Sequence, residues 1–466
     1  MTDKVRAYLQ SIKGKKVAFL GIGVSHKELI KKFVSLGAEV TLCDMREMDK
    51  LQEDLEGIRE LGISYQLGAH QFDNLEKFDM VFRTPGIYFL RPELQQAIKK
   101  GANITSEMEE FFKYCPCKKI AITGADGKTT TTTLISEILT EQGYTVHKGG
   151  NIGRALLPII DEIDEDDYAV VELSSFQLLS FKQSADITVV TNVQPNHLNV
   201  HKDYAEYKDA KKNLIIYQPE NSKTVLNLDN VVTREEYAPF VKGETVWFSK
   251  LTKVPVGSFW DMNSGKIYYT DGEKETFIMN RDDIKLIGDH NVENYLTAIA
   301  TVWGLADTDS ILKVARSFGG VEHRMELVRE FDGVKYYNDS IASSPDRTIA
   351  GLKARNEKVI LIAGGQNKGL NYDKLGAFVN DKVKVLICMG ETGPVIADST
   401  KKADNYSEDN IKILFADTME EAVSLARQNA KEGDIVSLSP ASTSFDKYKN
   451  FEYRGRHFKN IVKDLK

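Results

Sequence analysis

The segment AITGADGKTTTTTL, residues 121–134, constrains the fold of this chain more than any other part of the sequence. It predicts a buried strand over Lys118–Thr123, a tight turn bounded by glycines, and a helix. The helix is expected to begin at Thr129 and meets no helix breaker before Gln142. A strand that passes through a glycine turn into a helix is the unit from which parallel sheets with covering helices are built. We therefore expect an α/β protein.

The turn itself has the composition of a phosphate-binding loop. Lys128 directly follows Gly127, which places an ammonium group beside the β- and γ-phosphates of a nucleotide, and the hydroxyl of Thr129 can hold Mg²⁺. A standard P-loop has a further glycine five residues before Gly127, but Ile122 stands there, so the loop TGADGKT is shortened. Gly-Lys-Thr also occurs in ordinary turns between a strand and a helix. The preceding strand and the unbroken helix favour a nucleoside-triphosphate site.

Composition excludes several classes of protein. At 466 residues the chain is long enough for about three domains, and no segment approaches the ~18 apolar residues of a membrane span. The N-terminus lacks the apolar stretch of a secretory signal, and four scattered cysteines do not form a disulfide framework. A net charge of −7 without a large basic block argues against nucleic acid as the main partner. We expect a cytoplasmic enzyme that binds neither membranes nor nucleic acid.

Three αβ segments follow one another along the chain. The first has a strand at Lys16–Leu20, a glycine turn, a helix, and a second strand that ends at Asp44. This pattern is typical of a dinucleotide-binding fold, although His26 occupies the third glycine position. Alternating residues over 223–279 predict an antiparallel extension of the central sheet. We expect three domains: a Rossmann-like domain over residues 1–106, a central P-loop NTPase-type parallel sheet over 107–318, and a C-terminal Rossmann-like α/β domain over 319–466.

Polar side chains lie where two central strands are predicted to end. Glu172 is near the end of the strand Tyr168–Leu173, and His197 follows the strand Ile187–Asn192. Each has an ordinary alternative, since Glu172 can cap a helix and His197 can be a packed residue. The carboxyl ends of parallel strands share one edge of a sheet, so both residues are expected near the phosphate-binding loop. That position favours a Mg²⁺ site.

The last segment has polar turns after its strands. Asp339 and Ser340 follow the strand Val334–Tyr337, Lys368 follows a second strand, and the hydroxyl-rich stretch over 439–446 follows the last strand. These groups suit a small dicarboxylate or an amino acid as the ligand. A loop that caps itself is the alternative for the turn at Asp339.

Together these motifs resemble the Mur ligase family, the ATP-dependent amide-forming enzymes of peptidoglycan synthesis. The shortened loop TGADGKT is similar to the cradle of that superfamily, which also includes folylpolyglutamate synthase. Further segments that resemble the D-glutamate-adding branch are ELSSFQ from Glu172, GNIG from Gly150, NDS from Asn338 and SPASTSFDKYKNFEYRG from Ser439. The resemblance covers essentially the whole chain.

The resemblance implies a function. It implies a ligase that uses ATP to join D-glutamate to UDP-N-acetylmuramoyl-L-alanine through an acyl-phosphate intermediate, as a cytoplasmic monomer. One alternative is another amino-acid ligase on the same frame, either a different Mur ligase or a folylpolyglutamate-type enzyme. The other is a non-catalytic nucleotide-binding regulator that has kept the fold.

The resemblance also implies roles for individual residues. ATP binding is implied for Gly124, Asp126, Gly127, Lys128, Thr129, Thr130, Asn291, Arg324 and Asp339. Binding of the UDP-sugar is implied for Gly23, Val24, Ser25, Asp44, Arg46, Thr84, Pro85 and Asn151. Binding of D-glutamate is implied for Ser343, Lys368, Ser444 and Phe451. A pair of Mg²⁺ ions is implied at Thr129, Glu172, His197 and Lys211, and catalytic roles at Lys128, His197, Lys211 and Asp339.

The resemblance changes the interpretation of Lys211, and the sequence departs from the family pattern at Ile341. By composition Lys211 is a solvated lysine on a helix over Tyr204–Leu214, whereas the resemblance implies that it carries a carbamate and thereby becomes an oxygen ligand for Mg²⁺. A carbamate requires a neutral amine, hence surroundings that disfavour its charge. Family members usually have lysine after Asn-Asp-Ser, but here Ile341 follows. Either Arg347 or another cation substitutes for it, or recognition of D-glutamate relies more on Lys368.

Overall fold

The computed structural model describes residues 1–198, 200–286, 288–355 and 357–466, and the side chain of Val24 lies outside its described part. The chain forms two compact units, Met1–Lys285 with Asp289–Ser317, and Leu286–Gly288 with Phe318–Lys466. Across the described residues there are three sheets, of five, nine and six strands. The prediction of an α/β fold is confirmed. Among the helices that the structure describes, none is both long and apolar enough to cross a membrane.

The first sheet has the strand order of a Rossmann fold. Its strands run parallel in the order β3-β2-β1-β4-β5 and are β1 (Lys16–Leu20), β2 (Glu39–Asp44), β3 (Ser64–Leu67), β4 (Met80–Arg83) and β5 (Ile104–Thr105). The accompanying helices are α1 (Asp3–Ser11), α2 (Val24–Ser35), α3 (Pro92–Lys99) and α4 (Glu107–Tyr114). The order reverses between β1 and β4, so the turns after these two strands face the same crevice.

The second sheet has a parallel body and an antiparallel edge, in the order β14-β13-β12-β11-β10-β9-β6-β8-β7. Its strands are β6 (Lys118–Thr123), β7 (Val146–Gly150), β8 (Tyr168–Glu172), β9 (Ile187–Val190), β10 (Lys223–Asn227), β11 (Glu244–Ser249), β12 (Gly257–Asp261), β13 (Lys266–Thr270) and β14 (Glu275–Asn280). Its helices are α5 (Lys128–Glu141), α6 (Ser175–Leu178), α7 (Tyr204–Ile216), α8 (Asp289–Val302) and α9 (Thr308–Ser317).

The antiparallel extension predicted over 223–279 is right only for its end. Strands β12, β13 and β14 pair antiparallel, but β10 pairs parallel with both β9 and β11, and β11 pairs parallel with β12. The central residues of β10, Thr224, Val225 and Leu226, are all fully buried. A strand that is covered on both faces does not alternate in burial, and its pairing direction therefore leaves little trace in its sequence.

The phosphate-binding loop leaves the middle of this sheet. Strand β6 lies between β8 and β9, with Ile122 opposite Glu172 and Thr123 opposite Val190. The three strands are parallel, so their carboxyl ends meet at one edge. This pairing brings the loop, Glu172 and the segment after β9 together, as the sequence predicts.

The third sheet belongs to the second compact unit and has the order β15-β16-β20-β17-β18-β19. Its strands are β15 (Glu326–Phe331), β16 (Val334–Asn338), β17 (Val359–Gly364), β18 (Val383–Met389), β19 (Lys412–Phe415) and β20 (Ile435–Leu438), and only β15 is antiparallel to its neighbour among the described strands of this sheet. Its helices are α10 (Pro345–Lys353), α11 (Asp373–Lys382), α12 (Gly393–Lys402), α13 (Met419–Asn429) and α14 (Phe451–Lys463). Strand β20 lies between β16 and β17, so the turns after these three strands are neighbours.

Candidate active site

Both glycines of the phosphate-binding loop are required by its geometry. Gly124 and Gly127 have φ values of 149° and 78°, which residues with a side chain rarely adopt. A Cβ atom at Gly124 would collide with Thr191 Oγ1, and one at Gly127 would collide with Asn294 Oδ1. The loop therefore packs closely against the segment after β9 and against helix α8.

The segment after β9 braces the loop through Asp126. The Asp126 amide donates to Asn192 Oδ1 (3.0 Å), Thr191 Oγ1 donates to the Asp126 carbonyl oxygen (2.6 Å), and Gln194 Nε2 donates to Asp126 Oδ2 (2.7 Å). Every one of these partners is distant in sequence. The backbone and the side chain of Asp126 therefore anchor the loop to the segment that follows β9.

Lys128 and the threonines after it occupy the first turn of α5. Lys128 Nζ donates to the carbonyl oxygen of Ala125 (2.6 Å), so its ammonium group lies across the loop. Thr129 and Thr130 follow in the part of the helix where backbone N–H groups have no partner within the helix. Positive charge and amides without a partner in the helix suit this end of α5 to the binding of an anion.

Glu172, at the end of β8, is buried with one carboxylate oxygen unsatisfied. Its Oε1 accepts from Asn151 Nδ2 (2.7 Å), while Oε2 has no hydrogen-bond partner in the described part of the chain. The residue is only 1% exposed. An unpaired buried carboxylate oxygen is costly unless a cation or a further donor satisfies it. The group therefore fits a role as a Mg²⁺ ligand.

Lys211 is not a solvated lysine, so the interpretation from composition is wrong. It is 1% exposed, and its Nζ donates to the carbonyl oxygen of Gly124 (2.7 Å) and to Thr123 Oγ1 (3.2 Å). Helix α7 thus places this amine directly beneath the phosphate-binding loop. Burial, followed by the nearby charge of Lys128, holds the pKa of Lys211 well below its usual value.

His197 follows β9 in a strained conformation. Its φ is 55°, in the left-handed region that residues with a side chain rarely adopt, and its side chain is exposed. The ring of Phe176, four residues after Glu172, meets the His197 ring edge-on with centroids 5.3 Å apart. The structure therefore brings His197 to the segment that follows the buried carboxylate.

A second polar site lies at the switch point of the first sheet. Asp44 accepts from the amide of Ile22 (3.1 Å) and pairs with Arg46, whose Nε lies 3.0 Å from Asp44 Oδ1. Burial raises the pKa of Asp44, but the hydrogen bonds from Arg46 and Ile22 outweigh it and keep the pKa below its usual value. The methyl carbon of Thr84 lies 3.4 Å from where a Cβ of Gly23 would stand, so the two turns adjoin.

His26, at the position of the third glycine, stabilises the first turn through a hydrogen bond. The ring is buried, and its Nδ1–H donates to the carbonyl oxygen of Gly21 (2.8 Å). Burial lowers the pKa of His26 to about 4, so the ring is neutral at physiological pH. Ser25 and the backbone of Val24 lie in the first turn of α2, and Pro85 follows Thr84 in the second turn.

The second compact unit has its own polar cluster around Asp339. Asp339 Oδ2 accepts from Ser439 Oγ (2.8 Å), and Oδ1 accepts from the amide of Met325 (3.2 Å). Burial raises the pKa of Asp339 to about 6, against the lowering effect of these hydrogen bonds and of the charge on Arg324. Arg324 lies between two residues in the left-handed region, His323 and Met325.

The four residues expected to bind D-glutamate lie at the same edge of the third sheet. Ser343 Oγ donates to the carbonyl oxygen of Ile341 (3.2 Å), and Phe451 accepts a hydrogen bond from Ser340 at its own carbonyl oxygen (2.8 Å). Lys368 Nζ lies 4.8 Å from the ring centre of Phe445, which places it beside the turn that contains Ser444.

Family models match nearly all of these elements. The MurD-like N-terminal domain matches residues 15–106, the Mur ligase middle domain matches 122–302, and the Mur ligase glutamate ligase domain matches 323–442. A UDP-N-acetylmuramoylalanine--D-glutamate ligase of Acetivibrio thermocellus is 50% identical over 469 aligned residues, which cover 100% of both chains. The chain belongs to the Mur ligase family. Proteins with the same name from Ruminiclostridium cellulolyticum and Clostridium tetani are 47% and 45% identical, again over the full length of both chains.

Solved structures of Mur ligases have the same fold. The UDP-N-acetylmuramate-alanine ligase MurC of Thermotoga maritima is similar with a TM-score of 0.57 and 20% identity, over 97% of this chain and 100% of that chain. A pseudomurein peptide ligase of Methanothermus fervidus has a TM-score of 0.53 and 18% identity, over 97% of this chain and 100% of that one. At these identities the comparison supports the fold alone.

In this Mur ligase the predicted residues form separate groups. Lys128, Thr129, Glu172 and Lys211 lie around the phosphate-binding loop, with Asn291 at the start of α8, where its Oδ1 accepts from Asn294 (3.1 Å). Asn151 belongs to this group too, because its amide holds Glu172. The residues predicted to bind the UDP-sugar, other than Asn151, lie in or directly after the strands β1, β2 and β4 of the first sheet. Arg324, Asp339 and the D-glutamate residues lie in the second compact unit.

Sequence reasoning missed two buried arginines of this Mur ligase. Arg83 is 2% exposed, and its Nη1 donates to the carbonyl oxygen of Ile87 (2.7 Å) to hold the turn at Thr84. Arg454 is 3% exposed and donates from Nε to Ser340 Oγ (3.0 Å) and from Nη1 to the carbonyl oxygen of Ser442 (3.1 Å). Arg454 lies within the segment over 439–455 that resembles the family, but the sequence assigned no role to either arginine, because an arginine beside a turn is ordinarily solvated.

Proposed function

We propose that this Mur ligase joins D-glutamate to UDP-N-acetylmuramoyl-L-alanine at the expense of ATP, as a cytoplasmic monomer. The observation that carries the proposal is full-length similarity, at up to 50% identity, to relatives named for that reaction. The geometry is consistent with it, because a phosphate-binding loop adjoins a buried carboxylate with an unsatisfied oxygen. ATP and Mg²⁺ are the cofactors that a Mur ligase implies.

The chemistry follows from the charges of the reactants. The carboxylate of the UDP-sugar substrate is an anion and must attack the γ-phosphorus of ATP, so repulsion opposes their approach. Lys128 supplies positive charge at the phosphates, and the amides that open α5 orient them. This attack forms an acyl phosphate and breaks the bond between the γ-phosphorus and the bridging oxygen, which releases ADP. The amine of D-glutamate then attacks the acyl carbon, so that an amide bond forms and phosphate leaves. The amine must lose a proton, for which His197 and Asp339 are the two candidates.

The residues around the phosphate-binding loop are the proposed site of two Mg²⁺ ions. Glu172, with its unsatisfied Oε2, and Thr129 would hold Mg²⁺ beside the phosphates, and His197 with a carbamate on Lys211 would hold a second ion. Bound Mg²⁺ would neutralise phosphate charge. The depressed pKa of Lys211 supports the carbamate, since only a neutral amine captures CO₂. Asn151 keeps Glu172 in place through its hydrogen bond to Oε1.

The proposal is tested by the amino-acid dependence of phosphate release. With ATP, Mg²⁺ and UDP-N-acetylmuramoyl-L-alanine present, we expect phosphate release that depends on D-glutamate and is at least about tenfold slower with L-glutamate, L-alanine, glycine or a diamino acid. Replacing the sugar nucleotide by a folate should give none. Turnover that is independent of D-glutamate, or that prefers another amino acid, would show that the protein is a different ligase. ATP binding without turnover would indicate a regulator.

Arg347 is proposed to take the place of the lysine that Ile341 replaces. Its Nη1 donates to the carbonyl oxygen of Ile341 (3.1 Å), so a cation lies at this turn although residue 341 is apolar. We expect Arg347→Ala to raise KM for D-glutamate about tenfold and to change kcat less than about threefold, because it removes a charge-assisted hydrogen bond to the substrate.

Two control variants sharpen this prediction. Arg347→Lys keeps the charge and should recover most of the affinity for D-glutamate. Lys353→Ala removes an exposed cation near the other end of the same helix and should leave KM unchanged. An unaltered KM in Arg347→Ala would assign the recognition of D-glutamate to Lys368 instead.

A further inference from the structure

A line of four buried or half-buried hydrogen-bonding side chains crosses the first compact unit. Tyr88 Oη donates to Glu206 Oε2 (2.5 Å), and His201 Nδ1–H donates to Glu206 Oε1 (2.8 Å). His201 Nε2 and Ser175 Oγ share a hydrogen bond of 2.8 Å. Burial raises the pKa of Glu206, but the hydrogen bonds from Tyr88 and His201 outweigh burial and keep the pKa below its usual value. The carboxylate is thus an acceptor at both oxygens, and the imidazole is held at both nitrogens.

The ends of this line lie at the two proposed ligand sites of that unit. Tyr88 follows directly after the turn over 84–87, which we assign to the UDP-sugar, while Ser175 begins α6 three residues after Glu172. The buried Arg83 makes a parallel link, because its Nη1 donates to the carbonyl oxygen of Ile87 (2.7 Å) and its Nη2 donates to that of Phe176 (3.3 Å). The turn of the first sheet is therefore joined twice to the edge of the second sheet that carries Glu172, which we call the metal edge. Of these two links, the one through Tyr88 and Glu206 reaches His201, whose amide holds the backbone of His197.

The line also determines the surroundings of His197. The ring of Phe176 stacks on His201, with centroids 4.9 Å apart and an angle of 7°, and its edge meets His197. The amide of His201 donates to the carbonyl oxygen of His197 (3.0 Å). His197 has a left-handed backbone, which persists only where its neighbours hold it. A shift of His201 would therefore alter the position of His197.

We propose that Tyr88, Glu206 and His201 are positioning residues that couple the UDP-sugar turn to His197 at the metal edge. The inference rests on the proposed function, because it takes the turn at Thr84 as the sugar-nucleotide site and His197 as a metal ligand. Its consequence is thermodynamic: the sugar nucleotide and the Mg²⁺ complex of a nucleotide should each tighten the binding of the other, by the same factor.

Tyr88→Phe tests the coupling through binding alone. The dissociation constant of UDP-N-acetylmuramoyl-L-alanine is measured by calorimetry with and without Mg²⁺ and a non-hydrolysable ATP analogue. We expect the analogue to tighten binding about tenfold in the native protein and less than about twofold in Tyr88→Phe, with the constant for the sugar nucleotide alone changed less than about threefold. The proposal would be overturned if the analogue tightened binding as much in Tyr88→Phe as in the native protein, or if it did not tighten binding in the native protein.

Tyr65→Phe is the matched control. The Tyr65 hydroxyl also lies in the first sheet and is buried, but it has no hydrogen-bond partner within the residues that the structure describes. Its removal should leave the tenfold coupling intact. Loss of coupling in both variants would mean that any lost tyrosine hydroxyl disturbs this sheet, which would contradict a specific role for Tyr88.

Kinetics provide a second readout. Tyr88→Phe and Glu206→Gln should each lower kcat about tenfold with KM for D-glutamate unchanged, and the double variant should be no slower than either single variant, because all three break one link. If the losses of kcat in the two single variants were additive in the double variant, Tyr88 and Glu206 would not act through one link, which would contradict the proposal. His201→Gln, which keeps one hydrogen bond, should retain more activity than His201→Leu.

The two proposals fail in different ways. If the native protein showed coupled binding but no turnover that depends on D-glutamate, the proposed function would be wrong and the coupling through Tyr88, Glu206 and His201 would still hold. If the native protein turned over D-glutamate and Tyr88→Phe had the same binding coupling and the same kcat, only the coupling through Tyr88, Glu206 and His201 would be contradicted.

Discussion

Lys211→Ala is expected to lower kcat about 10³-fold, one of the two largest effects that we predict for any single substitution. The amine is 1% exposed and lies 2.7 Å from the carbonyl oxygen of Gly124, so the substitution removes a group from beneath the phosphate-binding loop. If Lys211 carries a carbamate, the substitution also removes a metal ligand. The measurement is steady-state phosphate release at saturating substrates, together with the melting temperature of the variant.

Lys212→Ala is the matched control for that prediction. Lys212 is the next residue on the same helix, but it pairs with Asp209 (3.0 Å) and lies over the ring of Phe240 instead of reaching the loop. Its substitution should change kcat less than about twofold, as expected for a surface ion pair. A kcat for Lys211→Ala within about tenfold of native would contradict the assignment of Lys211 to the active site.

The carbamate has tests of its own. The neutral amine adds CO₂ to form a nitrogen–carbon bond and releases one proton, so the depressed pKa of Lys211 favours the reaction at physiological pH. We expect a carbamate carbon signal by NMR in the native protein and in Lys212→Ala under ¹³C-bicarbonate, and none in Lys211→Ala. Formate or acetate should restore part of the activity of Lys211→Ala, because a free carboxylate can replace the missing oxygen ligand. No signal in the native protein and no rescue would exclude the carbamate.

Lys128→Ala should also lower kcat about 10³-fold, because the proposed mechanism uses its ammonium group to stabilise the charge of the phosphates. Its Nζ lies 2.6 Å from the Ala125 carbonyl oxygen, so the ammonium group lies across the loop. The dissociation constant of the sugar nucleotide should change less than about threefold, since that ligand is assigned to the first sheet. Phosphate release and calorimetry measure the two quantities.

Lys118→Ala is the control for Lys128→Ala. Lys118 is the first residue of the same strand, β6, and is exposed at the end remote from the loop. Its removal should leave kcat within about twofold of native. If Lys128→Ala weakened the binding of the sugar nucleotide as strongly as it lowered kcat, the loss would reflect a disturbed fold and not a missing phosphate contact.

Local patterns predicted most elements of this fold. Strand β6 has the predicted bounds, and α5 begins at Lys128, one residue before the predicted start. These elements are encoded by neighbouring residues, namely an apolar run, a glycine turn and an unbroken helix. The error lay in β10 and β11, which pair parallel. Pairing direction depends on a connection and a partner strand elsewhere in the chain, and a buried strand carries little sign of it.

The sequence by itself determined the α/β class, the shortened phosphate-binding loop and, through resemblance, the family. These follow from residues that are adjacent or that form a compact motif. Only the tertiary structure decided that Lys211 is buried beneath the loop and that Arg83 joins two sheets. It also decided that Glu172 Oε2 has no hydrogen-bond partner among the residues that the structure describes. Burial and desolvation arise from segments that are distant along the chain, so a lysine or an arginine looks the same in sequence whether water or protein surrounds it.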